Sequence, residues 1–144
     1  MHPRIVIRKA IVQRLIEVQT LAKNKVFDSR VKPLFDQDMP AILVYTRDEK
    51  VISNQYDGDG SLDLVRELDL SIEAVSNSKE FDTELDTLAE QIESALDNYE
   101  IPDRKADLIT LKTTETDMAI EGSKVYGAIR LTFGIKYRTS VKEQ

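Results

Sequence analysis

Between residues 62 and 74 the chain alternates. Leu62, Leu64, Leu68, Leu70, Ile72 and Ala74 occupy even positions, while Asp63, Glu67, Asp69, Ser71 and Glu73 fill the odd ones. Only a strand turns successive side chains to opposite faces, so this period of two predicts one long strand with a buried apolar face and a wet, acidic one. Arg66 is the one interruption on the apolar side. A half-buried strand needs neighbours to pair with and a layer to cover it.

The neighbouring segments supply both. Ile7, Ile11, Leu15, Val18 and Ala22, with Val12 and Leu21 beside them, follow helical spacing and predict a first helix of about four turns. Pro3 is tolerated there at or before the first turn, and Arg4 and Arg8 fall one turn apart on one face. A short strand is expected around Val26-Phe27-Asp28, and an apolar β run at Ala41–Tyr45 after Pro40. A second strand piece, Lys50–Tyr56, runs into the Asp57-Gly58-Asp59-Gly60 turn.

After the alternating strand, Asn77 followed by Glu80 resembles a capping box. Phe81, Leu85, Leu88, Ala89, Ile92, Ala95, Leu96 and Tyr99 then build a helical stripe on an otherwise acidic helix that Pro102 stops. Residues 108–114 are rich in β-branched side chains, Glu121-Gly122-Ser123 reads as a turn, and Val125–Tyr137 alternates again. This last strand pairs an apolar face with a polar one carrying Arg130, Lys136 and Arg138. The order α-β-β-β-α-β-β predicts an α+β fold, with two helices packed on one face of a mostly antiparallel or mixed sheet. All 144 residues fit a single domain.

Charge is unevenly distributed. Residues 1–32 hold eight bases against two acids, residues 36–121 hold 23 acids against seven bases, and residues 122–144 hold five bases against one acid. Such asymmetry serves a nucleic-acid arm, complementary surfaces on two copies of the chain, or pairing of opposite charges inside one monomer.

Catalytic chemistry finds little purchase. There is no Cys, which removes disulfides, thiolate metal sites and thiol nucleophiles. The single His is His2, at a chain end that does not hold an imidazole in catalytic geometry. No glycine-rich phosphate loop is present, and most of the many carboxylates fall on exposed strand or helix positions, where their pKa values are not tuned for catalysis. The Asp57–Asp63 segment offers oxygens at alternate positions, but the places of an EF-hand's glycine and bidentate glutamate are taken by Leu62 and Leu68. A flexible hairpin turn is the simpler reading. No cofactor, metal or catalytic residue is therefore expected. A pI near 4.9 argues against general phosphate binding, and no sequence-specific nucleic acid is expected as a partner. The absence of a long apolar stretch or signal peptide predicts a cytoplasmic protein with no membrane partner.

The pattern Val26-Phe27-Asp28-Ser29-Arg30, followed by Leu34-Phe35-Asp36-Gln37-Asp38-Met39-Pro40-Ala41-Ile42-Leu43-Val44-Tyr45-Thr46, resembles the tail-terminator (minor tail protein U) family of long-tailed phages. The acidic alternating strand, the acidic helix and the final Thr-x-x-Ile-x-Tyr strand fall in the family's order. The loop after Tyr45 and residues 101–121 carry no residue match. The resemblance implies a non-enzymatic structural subunit, encoded by a phage or prophage. It would form a hexameric ring, cap the head-proximal end of the tail tube, stop polymerisation and allow head joining. Its expected partners are other copies of itself, the tail tube protein and a head–tail connector, with assembly in the cytoplasm and residence in the virion tail. Arg4, Arg8, Tyr56, Asp57, Asp59, Arg130, Lys136 and Arg138 are the candidate interface residues. Another head–tail joining protein and, less favoured, a small carboxylate-dependent hydrolase are the alternatives.

Overall fold

The structure, a computed structural model, describes residues 1–29, 31, 36–56, 58–102, 106 and 108–140. In chain order its elements are α1 (Pro3–Glu17), β1 (Val26–Phe27), β2 (Ala41–Tyr56), β3 (Leu62–Ser76), α2 (Phe81–Leu96), β4 (Leu108–Glu121) and β5 (Lys124–Ser140), with a short 3-10 turn at Asp36–Asp38. The five strands lie in the order β1-β2-β3-β5-β4, with β1 parallel to β2 and every other pair antiparallel. The sheet is therefore mixed, and the α-β-β-β-α-β-β order read from the sequence is the order observed.

Pattern accounts for the core. Leu68, Leu70, Ile72 and Ala74 of β3 share a face with Ile129, Leu131, Phe133, Ile135 and Tyr137 of β5. Together with Ile42 and Val44 of β2 they meet Ile7, Ile11 and Leu15 of α1 and Leu85, Leu88, Ile92 and Leu96 of α2. Both helices thus cover one face of the sheet. Each large aliphatic side chain buried there contributes about 1.5–3 kcal/mol, which is what fixes the helices on the sheet.

Several boundaries differ from the sequence reading, each for a local reason. The apolar run 41–45 and the piece 50–56 are two halves of one strand, β2. Two irregularities interrupt its pairing with β3. Thr46 faces Leu70 and Glu49 faces Leu68, then Val51 faces Arg66 and Ser53 faces Val65. Each irregularity holds one extra β2 residue, the signature of a β-bulge. The first bulge moves odd-numbered residues onto the helix side, and the second returns that side to the even ones. α1 ends at Glu17, earlier than its apolar stripe suggests, because Gln19 adopts φ +55° and turns the chain toward β1. Ala22 is still buried, outside the helix, while Val18 and Leu21 are exposed. The capping box expected of Asn77 does not form. Glu80 is the N-cap of α2 and makes no side-chain cap bond; its own N–H donates to Ser78 Oγ at 3.2 Å, and Ser76 Oγ donates to Glu84 at 2.8 Å. α2 stops at Leu96, before Tyr99, and Asn98 at φ +56° marks the break.

One part of the sheet extends past the helices. β3 ends at Ser76, opposite Gly127, but β4 and β5 continue through Met118↔Gly127, Ile120↔Val125 and Glu121↔Lys124. The last turns of this hairpin therefore form a two-stranded ribbon. At its base a Cβ on Gly127 would lie 2.1 Å from the Phe81 ring, so only glycine lets the first residue of α2 sit flat on β5.

Candidate assembly interface

The positions singled out in the sequence fall into three places. Arg4 and Arg8 lie on α1, whose first turn is capped by His2: its Nδ1 accepts the Arg4 N–H at 3.1 Å. A ring nitrogen that accepts must be unprotonated. Burial, then the Arg4 and Arg66 charges, push the His2 pKa below its ordinary value. Arg4 Nη1 reaches Glu49 Oε2 at 3.3 Å, and Arg8 pairs with Asp28, which Lys9 Nζ also approaches at 3.6 Å. Much of the basic character of the N-terminal segment is thus answered within the monomer.

Arg130, Lys136 and Arg138 project from the β5 face turned away from the helices. Their cross-strand neighbours on β3 are Glu73, Glu67 and Val65. Arg130 lies 3.8 Å from Glu73 and 3.0 Å from Glu115, and Tyr45 Oη donates to Glu73 at 3.1 Å. Lys112, one strand over, bridges Glu67 at 3.3 Å and Asp69 at 3.1 Å, and these bonds hold its pKa above the usual lysine range. Gly134 leaves room for that crossing, since a Cβ there would come within 2.8 Å of the Lys112 side chain. The acidic face of β3 and the basic face of β5 therefore neutralise one another side by side. Lys136 and Arg138 remain exposed near the end of β5.

Tyr56, at the end of β2, is 71% exposed. Close by, Asp59 Oδ1 accepts from the Ser61 N–H at 3.0 Å and the Ser61 hydroxyl at 2.8 Å, an Asx turn over residues 59–61. Asp57 lies outside the described residues.

Two features escaped the residue list. The first is Glu49. Its Oε2 takes Arg66 Nη1 at 3.1 Å as well as Arg4, its Oε1 accepts the hydroxyl of the fully buried Tyr137, and Arg66 Nε donates to Thr139 Oγ1 at 2.9 Å. Burial and this bond push the Tyr137 phenol well above its ordinary pKa. Arg66 on an apolar strand face was the available signal, because an inward-facing guanidinium demands a carboxylate opposite it. The second is α2 with its C-cap Asp97: Asp82, Asp86, Glu90, Glu93 and Asp97 are all exposed, and no Lys or Arg occurs between Glu80 and Pro102. Among the described residues no group of three or more His, Cys, Asp or Glu side chains is placed to hold a metal ion, and no helix is long and apolar enough to cross a membrane.

With this fold and these surfaces in view, the comparison that decides the family is one of sequence. The phage minor tail protein U family matches residues 3–137, nearly the whole chain. The chain belongs to that family. No curated protein matches it in sequence. Among solved structures, a chain of the virion of a native gene transfer agent (GTA) particle is similar in fold. Its TM-score is 0.59 at 17% identity, over 92% of this chain and 94% of that one. As a minor tail protein U family member, the protein is a structural component of a phage-type tail.

Proposed function

We propose that this tail protein closes the head-proximal end of a tail tube as a six-membered ring. It would thereby end tube polymerisation and present a surface for a head–tail connector, with assembly taking place in the cytoplasm before the finished tail joins the virion. The observation that carries the ring is the one-signed face of α2. Five exposed carboxylates stand there with no base on the helix, on a chain whose first 32 and last 23 residues are net basic. A closed ring of identical subunits is built from heterologous contacts, where one surface meets a different surface on the next copy. The acidic α2 face and, on the opposite face of the sheet, the exposed bases Lys136 and Arg138 supply two such surfaces, because the acids of α2 take no part in the ion pairs that occupy Arg8, Lys112 and Arg130.

Light scattering over a range of concentration and salt tests this. The expected result is a particle of six times 16.4 kDa at low ionic strength that dissociates as salt screens the contacts. A mass that stays at one subunit under every condition sinks the ring. A hexamer indifferent to salt keeps the ring and discards its electrostatic basis.

A further inference from the structure

The β4–β5 ribbon beyond Gly127 is amphipathic. Met118, Ile120 and Val125 share the face that Phe81 covers at the base, yet beyond α2 nothing among the described residues covers them, and they are 56%, 66% and 39% exposed. A two-stranded ribbon with a bare apolar face is marginal in water, so this one is built to lie against something. Between the ribbon and the start of α2 runs an open groove of about 450 Å³, lined by Asn77, Ser78, Lys79, Phe81, Ser123, Lys124 and Val125. Both charged residues lining it are lysines, and its apolar wall is Phe81 and Val125.

We infer that this groove receives the Tyr56–Asp63 turn of a second copy of the chain, with Tyr56 as the side chain that fills it. The turn matches the groove in three respects. It carries the most exposed aromatic among the described residues, 71% accessible. Its charge is opposite, since Asp59 follows Tyr56 in a segment without a base. Two Asp59–Ser61 hydrogen bonds hold residues 59–61 in shape, which lowers the ordering entropy lost on docking. Turn and groove also stand at opposite ends of the sheet. β3 begins beside the turn at Leu62 and ends beside the groove at Ser76, a strand of 15 residues, or roughly 45–50 Å at a rise of about 3.3 Å per residue. One copy cannot fill its own groove, and the contact is heterologous, as a ring requires. The inference rests on the reading that copies of this chain assemble, and it names which surfaces meet.

The chain has no cysteine, so a Tyr56→Cys, Ser123→Cys double variant introduces the only two thiols. Disulfides form only between Cα atoms closer than about 7 Å, which excludes bridging within one subunit across the length of β3. Mild oxidation of the assembled variant is expected to give a ladder of covalent multimers on a denaturing gel, and neither single variant is expected to give more than a dimer. A wild-type protein that assembles by light scattering, whose double variant assembles too but yields no ladder, overturns this contact and leaves the ring standing. A wild type that never assembles overturns both. As a second arm, Lys79→Glu with Lys124→Glu is expected to raise the concentration needed for assembly at least tenfold, and unchanged assembly counts against the contact. Circular dichroism on each variant separates loss of docking from loss of fold.

Discussion

Glu49 shows how much one side chain can organise. Its carboxylate is 10% exposed and is shared by Arg66, itself 12% exposed, by Arg4 and by the Tyr137 hydroxyl. Removing one partner of a nearly buried ion pair strands the other charge, which costs more than the pair contributes. Glu49→Gln is therefore expected to destabilise the protein by about 3 kcal/mol in urea denaturation, whereas Tyr137→Phe, which removes one hydrogen bond, costs about 1 kcal/mol. A double change of Glu49 and Arg66 to leucine is expected to recover most of the loss, and the three midpoints together check the assignment. His2 gives a pH signature. Its folded pKa lies below the unfolded value of about 6.5, so the unfolded chain binds the proton first and stability falls as pH drops below that value. The loss belongs to a helix cap and is expected to be about 1 kcal/mol or less. His2→Asn keeps the cap without the titration, so comparing denaturation midpoints at pH 7.5 and 5.5 should show a smaller drop in that variant.

Among the elements, α2 and β5 depend on one close approach. Gly127→Ala places a methyl group inside the Phe81 ring, and forced overpacking of this kind costs about 1–3 kcal/mol. Phe81→Leu in the same chain is expected to relieve part of it, as a thermal-melt double-mutant cycle would show. The elements were legible in the sequence because their periods are local: 3.6 in the stripes of Ile7–Leu15 and Leu85–Leu96, two in Leu68–Ala74 and Ile129–Tyr137. Their ends were less so. Gln19 and Asn98 stop helices through a left-handed backbone that many sequences adopt only in tertiary context, and the Asn77 capping box lost to competing bonds from Ser76 and Ser78. The unity of β2 was hidden for another reason. The Arg47-Asp48-Glu49-Lys50 run reads as a loop by polarity, and it is a strand because β3 pairs with it across the sheet.

At the scale of the whole molecule, charge distribution along the chain turned out to be only a partial guide to charge distribution in space. Arg130 and Arg8 meet acids of their own subunit that are distant in sequence, a fact of register that no local pattern contains, while the acidity of α2 was legible as a helix face and stays on the surface. In the proposed contact the Gly58–Gly60 turn serves assembly rather than the fold. A Cβ on either glycine would meet nothing within 4 Å. Deleting Gly58–Gly60 is expected to leave the melting temperature within a few degrees of the parent while abolishing the multimer in light scattering. A shortened chain that still assembles would separate this loop from the ring.

The paired bulges of β2 have a consequence for how such a chain tolerates changes in length. They act like two compensating frameshifts, written in backbone instead of nucleotides. The first opens a second reading frame just before Glu49 and the second closes it after Val51, so a carboxylate is turned inward for three residues and the original frame resumes at Asn54. Losing either extra residue, Ile52 or one of Arg47 and Asp48, only straightens the ladder and leaves every downstream partner in place. Removing a residue between the bulges instead turns the wrong side chain toward Arg66. In this strand the damage done by a deletion is set by which side of a frame boundary it falls on, more than by the chemistry of the residue removed.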